Sequence, residues 1–451
     1  MPTTSLSATT LQALTHALSA TQARLAARFP GESGTRQPVH TVYGGAHLFR
    51  ADTAPRLGEL GLRVLQTYAP DATTFAAAIG LDPALAETVY TRVVDKLRRE
   101  PVEDFRIDFE DGYGNRADAE EDGHAASAAE EVAAGLRAGT LPPFLGIRIK
   151  TLSSSELCGR ALRTLDVFLT SLLRASEGRL PDNFVVTLPK ITAPEQVETL
   201  AAAFDALEEP LKLPRGALKM EFMVETTQSI VDLDGVVMLP RMLTAARGRC
   251  VAAHFGVYDF TAANDITAQY QRMRHPACDF ARHMMKMAYA GTGLWLSDGA
   301  TNIMPVGPHK PQPGQPLAPE LADANQRAVH HAWRLHADDI THSLEAGYFQ
   351  GWDLHPGQLP TRYATVYAFF LAGLASASER LANFVAKAAQ ATLVGDIFDD
   401  AATGQGLLNF FLRGINCGAL REEEALRAGV TLDELRGRSF VKILKNRRGL
   451  A

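Results

Sequence analysis

A chain of 451 residues, 46% of them hydrophobic, is long enough to bury a large core and to hold more than one domain. Its net charge of −6, with acids and bases interspersed and no basic run, argues against nucleic acid as a partner. No apolar run approaches the roughly 18 residues of a membrane span, and four scattered cysteines without CxxC or metal-ligand spacing read as reduced thiols of a cytoplasmic protein.

Residues 1–35 predict a leading helical segment. Leu11, Leu14, Leu18 and Leu25 fall at or near helical spacing, and Phe29-Pro30-Gly31 stops the pattern. The first thirty residues hold no acid, as in a transit peptide, but the leucine spacing favours an amphipathic helix. Eight short apolar stretches follow: TVYGGAHLF (41–49), VEDFRIDFED (102–111), FLGIRIK (144–150), FVVTLPK (184–190), MEFMVET (220–226), CVAAHFGVYD (250–259), TGLWLSDG (292–299) and YFQGWDLHP (348–356). Segments between them are long enough for a helix each, which predicts a (β/α)8 TIM barrel over residues 36–360. Residues 361–451 predict a C-terminal helical extension, interrupted by a polar break at 399–406. The loop 303–319 carries six prolines, so it is neither helix nor central strand. The histidine-rich run 330–342 lacks a ligand register and predicts an exposed helix face.

In a barrel of this kind the active site is built by the loops after the strands, so polar residues at strand ends are the candidates. Glu225 and Asp259 close strands five and six, and two carboxylates on adjacent strands suit Mg²⁺, which keeps waters and takes few protein ligands. Glu221, four residues before Glu225 and on the same face of strand five, lies a layer deeper, where a charge needs a partner. Glu110 and Asp111 end strand two beside Asp108; like charges this close require a cation, and they suit holding metal-bound water. Arg148 emerges from strand three, placed to grip a carboxylate or an enolate oxygen. Lys150 and Lys190 follow strands three and four as substrate-binding candidates; a Schiff base at Lys190 is disfavoured by the acids around it. His355 ends strand eight and is a candidate for proton transfer. Asp298 reads equally well as structural. Serine-hydrolase and phosphate-loop signatures are absent.

The segments DFEDG (108–112), IRIK (147–150), LPKI (188–191), VET (224–226), HFGVYDFTA (254–262) and GWDLHPGQ (351–358), in this order, resemble the aldolase/citrate lyase superfamily. That superfamily includes the citrate lyase β subunit, malyl-CoA lyase and HpcH/HpaI-type aldolases. The resemblance implies Mg²⁺ (or Mn²⁺) held by Glu225 and Asp259, a substrate-contacting arginine at Arg148, and a homo-oligomer. Lys150 stands where many members carry asparagine, and the proline-rich loop and C-terminal tail go beyond the short members.

Residues and resemblance together predict a Mg²⁺-dependent carbon–carbon lyase or aldolase. It would form a metal-stabilised enolate from a small oxo- or hydroxy-carboxylate, free or as a CoA thioester. Two alternatives stand beside it: a malate synthase-like condensing enzyme, and a non-catalytic barrel subunit that binds a carboxylate. The partner expected is a small-molecule carboxylate or acyl-CoA, with no nucleic acid and no membrane.

Overall fold

The computed structural model describes residues 4–31, 34–312, 314–386, 392–394, 397–399, 401–437, 443, 446 and 447. Eight parallel strands close into a barrel: β1 (His40–Gly45), β2 (Asp104–Asp108), β3 (Phe144–Arg148), β4 (Phe184–Leu188), β5 (Lys219–Val224), β6 (Cys250–Phe255), β7 (Trp295–Ala300) and β8 (Gln350–Asp353). Each strand pairs with its neighbour in chain order, and β1 pairs with β8 to seal the ring. The fold is the (β/α)8 barrel that the eight apolar stretches predict. Among the described residues no helix is long and apolar enough to cross a membrane.

The sequence of β2, DFRID, shows how the two faces are divided. Phe105 and Ile107 are buried in the apolar layer shared with the surrounding helices, each contributing roughly 1.5–3 kcal/mol on burial. The alternate residues Asp104, Arg106 and Asp108 are buried in ion pairs instead. Arg106 donates through Nε and Nη2 to the two oxygens of Glu221 on β5, at 2.7 Å each. Thr187 of β4 also bonds Glu221, and His254 Nε2 of β6 lies 3.1 Å from it. Trp352 Nε1 of β8 donates to His254 Nδ1 at 2.9 Å. Five strands are thus tied by one ionic layer where many barrels are filled with branched aliphatics. The partner that a charge at Glu221 needs is Arg106.

Several local expectations are corrected. β6 ends at Phe255, and Asp259 sits in the first turn of the short helix Val257–Ala263. Glu110 and Asp111 lie beyond β2, in a turn where Asp108 accepts the backbone N–H groups of Glu110 (2.9 Å) and Gly112 (2.7 Å). The run 330–342 is no exposed face. It belongs to the helix Pro319–Glu345, whose Trp333 and His336 are buried, with His336 Nε2 3.1 Å from Asp353 of β8. The histidines made that stretch look polar, but His336 points inward and meets a buried carboxylate through Nε2. The polar break at 399–406 instead holds the start of the helix Ala401–Asn416. Gly404 is there for contact, since a Cβ would stand 2.3 Å from the Phe384 ring.

The leading segment forms the helix Ala8–Arg28, with Ser7 accepting the N–H of Thr10 as its cap. The helix Leu359–Ala386 crosses the expected 360/361 boundary, and its Arg362 holds Asp353 at 2.9 Å. Residues 301–312 form no helix or strand, as their prolines dictate, and Asn325 clasps the backbone of His309 at 2.8 Å on both sides. Pro313 of the proline-rich loop lies outside the described residues.

Candidate active site at the carboxyl ends of the strands

Asp108, the last residue of β2, organises the site. Its oxygens hold the 108–112 turn closed, and a Cβ at Gly112 would stand 2.6 Å from Oδ2, so a side chain there would displace the carboxylate. The same carboxylate takes a two-pronged ion pair from Arg148, at 2.7 Å to Nε and 2.5 Å to Nη2. The guanidinium lies over the ring of Tyr43 from β1, 4.9 Å from its centroid. Arg148 is therefore fixed on two sides. Its third nitrogen, Nη1, faces Glu110 at 3.3 Å and Asp111 at 3.8 Å.

Lys190 is the second cation of the cluster. Its backbone has φ of +50°, a left-handed conformation that costs a non-glycine residue on the order of 1–2 kcal/mol. In that conformation its N–H donates to Glu225 Oε1 at 2.7 Å. Its ammonium bonds Glu110, reaches Asp111 Oδ2 at 3.0 Å, and stands 3.7 Å from Asp259 Oδ1. Burial alone would lower the lysine's pKa, but the charges of Glu225, Glu110 and Asp259 outweigh it and hold the amine protonated well above its usual range. A protonated amine is no nucleophile, which weighs against covalent catalysis at this position.

Glu225 is buried one residue beyond β5. A Cβ at Gly256 would stand 2.5 Å from its Oε2, so glycine at the end of β6 makes the space for this carboxylate. Burial first, and then the charge of Asp259, push Glu225 well above the usual carboxylate range. Glu110 is pushed up by burial against the pull of Arg148 and Lys190. Burial also acts on Asp111, but the hydrogen bond with Glu110 and the two cations hold it low. Counted together, Asp108, Glu110, Asp111, Glu225 and Asp259 face only Arg148 and Lys190, leaving a formal surplus of three negative charges.

That surplus is the test of whether a divalent cation fits. Glu225 and Asp259 offer hard oxygen donors, one buried and one half exposed, whose mutual repulsion a cation would relieve. Among the described residues no group of three or more His, Cys, Asp or Glu forms a ready metal cage. The pair therefore suits an ion such as Mg²⁺, which draws most of its ligands from water and substrate.

Three strand-end candidates take their partners from outside the cluster of carboxylates. Lys150 is buried against Glu121 at 2.8 Å and the carbonyls of Phe109 at 2.7 Å and Gly114 at 3.3 Å, so all three of its donors are engaged within the protein. His355 accepts the N–H of Gly357 at its own Nδ1, at 3.0 Å, capping the turn after β8, and burial lowers its pKa. Its ring lines a cavity of about 300 Å³ shared with Tyr43, Gly45 and Arg50. Asp298 faces the helix Pro276–Tyr289, paired with Arg282 at 2.8 Å and Ser343 at 2.6 Å, and is structural. Tyr43 and Gly256 were missing from the strand-end candidates. The first looks like an ordinary strand aromatic, but glycine at a strand end signals close approach and marks Gly256.

Fold and site together define a (β/α)8 barrel whose carboxyl-end mouth carries an acidic cluster interleaved with Arg148 and Lys190. The chain belongs to the DUF6986 family, described as a domain of unknown function, whose model matches residues 18–443. No curated protein matches the sequence. Among solved structures, a citrate lyase from Burkholderia xenovorans LB400 superposes with a TM-score of 0.53 at 18% identity, covering 87% of this chain and 97% of its own. A Haloferax volcanii malate synthase, solved as a lead(II) complex, superposes with a TM-score of 0.46 at 12% identity, covering 93% of this chain and 99% of its own.

Proposed function

We propose that this protein is a Mg²⁺- or Mn²⁺-dependent carbon–carbon lyase or aldolase. Its substrate would be a small oxo- or hydroxy-carboxylate, free or as a CoA thioester, and the reaction would pass through an enolate. The observation that carries the reading is the pairing of Glu225 with Asp259, short of positive charge, beside an arginine fixed by Asp108 and Tyr43. A divalent cation held by Glu225 and Asp259 supplies Lewis-acid polarisation of a substrate carbonyl.

The chain's own residues account for the rest. Arg148 turns Nη1 toward Glu110 and the more exposed Asp111, from where it would donate to a substrate carboxylate or to the oxygen on which charge develops. Because Asp108 and Tyr43 hold the guanidinium, little reorganisation is needed as that charge appears. Glu110, pushed up by burial, is suited to accept and return a proton, while Lys190 fixes its position and that of Asp111. Lys190 itself stays protonated and acts as a charge, through electrostatics alone.

The test is a panel of 2-oxo acids, hydroxy acids and acyl-CoA thioesters, with and without Mg²⁺, read as thermal stabilisation. At least one carboxylate is expected to raise the melting temperature only when Mg²⁺ is present. Stabilisation by carboxylates that is indifferent to Mg²⁺ would count for a metal-free binding barrel instead.

A further inference from the structure

The two cations of the mouth are held in different ways. Arg148 is committed on two sides, by Asp108 at 2.7 and 2.5 Å and by the ring of Tyr43, and its side chain is 6% exposed. Lys190 carries a single charged point on a flexible stem, and its side chain is 27% exposed. Among the described residues every partner of its ammonium is a carboxylate. It bonds Glu110, lies 3.1 and 3.0 Å from the two oxygens of Asp111, and stands 3.7 Å from Asp259 Oδ1. Of the carboxylates acting on the amine, Glu225 exerts the largest charge effect.

The ammonium therefore sits against both members of the candidate metal pair. A divalent cation placed between Glu225 and Asp259 would draw on the same negative charge and would be repelled by the ammonium beside it. Backbone and side chain of Lys190 divide their duties here. The N–H, presented at φ of +50°, donates to Glu225 Oε1 at 2.7 Å and belongs to the main chain, so it outlasts any substitution that keeps this conformation. Glycine adopts positive φ freely, so Lys190→Gly removes the ammonium and keeps the support of Glu225.

We infer, on the reading of Glu225 and Asp259 as a cation site, that the Lys190 ammonium is the resident counter-ion of this cluster and competes with the divalent cation for it. Lys190 thus sets the cation affinity of the site below what the carboxylates alone would give. Arg148 cannot take this part, because Asp108 and Tyr43 hold it in place.

Calorimetric titration of the full chain with Mn²⁺ alone, in the absence of any carboxylate ligand, tests this competition. Lys190→Gly is expected to bind Mn²⁺ about tenfold more tightly than the native chain, the scale of one positive charge removed from beside a divalent ion in a solvated site. Lys190→Arg, which keeps the charge, should stay close to the native affinity. Thermal melts give a second readout: Mn²⁺ should raise the melting temperature more in Lys190→Gly than in the native chain. Where the glycine variant loses its circular dichroism, Lys190→Met carries the same reading. A folded Lys190→Gly or Lys190→Met that binds Mn²⁺ no more tightly than the native chain overturns the competition and leaves the cation site standing. So does a Lys190→Arg chain that gains as much as Lys190→Gly, since the gain would then owe nothing to charge. If no chain binds Mn²⁺, or if Glu225→Gln binds it as well as the native chain does, the cation site itself falls and the competition with it.

Discussion

Glu225→Gln is expected to abolish turnover while leaving the protein folded at least as well as before. Loss of the charged donor should lower kcat/KM by at least on the order of 10²–10³-fold, the scale seen when one group aimed at developing charge is removed. Stability should move the other way in the absence of metal. Burial and the charge of Asp259 raise the folded pKa of Glu225 well above the usual carboxylate range. A carboxyl so raised disfavours folding as pH climbs through the range between the unfolded and folded values, and the penalty is fully present above it. A neutral glutamine removes that penalty at neutral pH. Activity assays paired with thermal melts in chelator separate the two effects. An active variant, or one that melts well below the native protein without metal, contradicts the assignment of Glu225 as a cation ligand.

Arg106→Met is expected to be the most destabilising single change in the barrel interior, by about 3–5 kcal/mol. The arginine holds both oxygens of Glu221 and also pairs with Asp104, and all three side chains are buried. Removing it strands two carboxylates with His254 and two hydroxyls as their remaining partners. Adding Glu221→Leu to the same chain should recover part of the loss, because an unpaired buried charge costs more than a well-packed apolar side chain. Denaturant unfolding of the two variants measures both quantities. A single variant within 1 kcal/mol of the native protein would show that water reaches the layer and screens it.

The strand-end residues made the fold legible because parallel strands buried on both faces leave short apolar runs, and eight such runs at helix-length spacing admit few other architectures. Glu225, Asp259, Arg148, Glu110 and Asp111 were legible for the same reason: each charge follows an apolar run, and the barrel brings those run ends together. What stayed hidden depends on conformation. Lys190 was legible as a lysine among acids, but not its left-handed backbone, in which its N–H donates to Glu225 while its ammonium bonds Glu110. Lys150 and His355 carry the same kind of signal in sequence, yet Glu121 and Gly357 satisfy them locally. The histidine-rich helix misled because composition reported its polarity, while Trp333 and His336 turn inward, His336 lying 3.1 Å from the buried Asp353. The leading helix was legible as an element, from its leucine spacing and the stop at Phe29-Pro30-Gly31.

In the proposed reaction Glu225, Asp259 and Arg148 stabilise an enolate with the help of a divalent cation. Proton exchange is a direct test, since a 2-oxo acid that reaches its enolate loses a C3 proton to solvent and takes back deuterium even when no carbon–carbon bond is made or broken. A panel of 2-oxo acids incubated with the protein in D₂O, followed by proton NMR, should show loss of the C3–H signal for at least one acid. That loss should require Mg²⁺ or Mn²⁺ and should vanish in Glu225→Gln. Exchange that proceeds equally in chelator, or that persists in Glu225→Gln, would rule out a cation-stabilised enolate at this site, as would a panel in which no acid exchanges faster than in buffer.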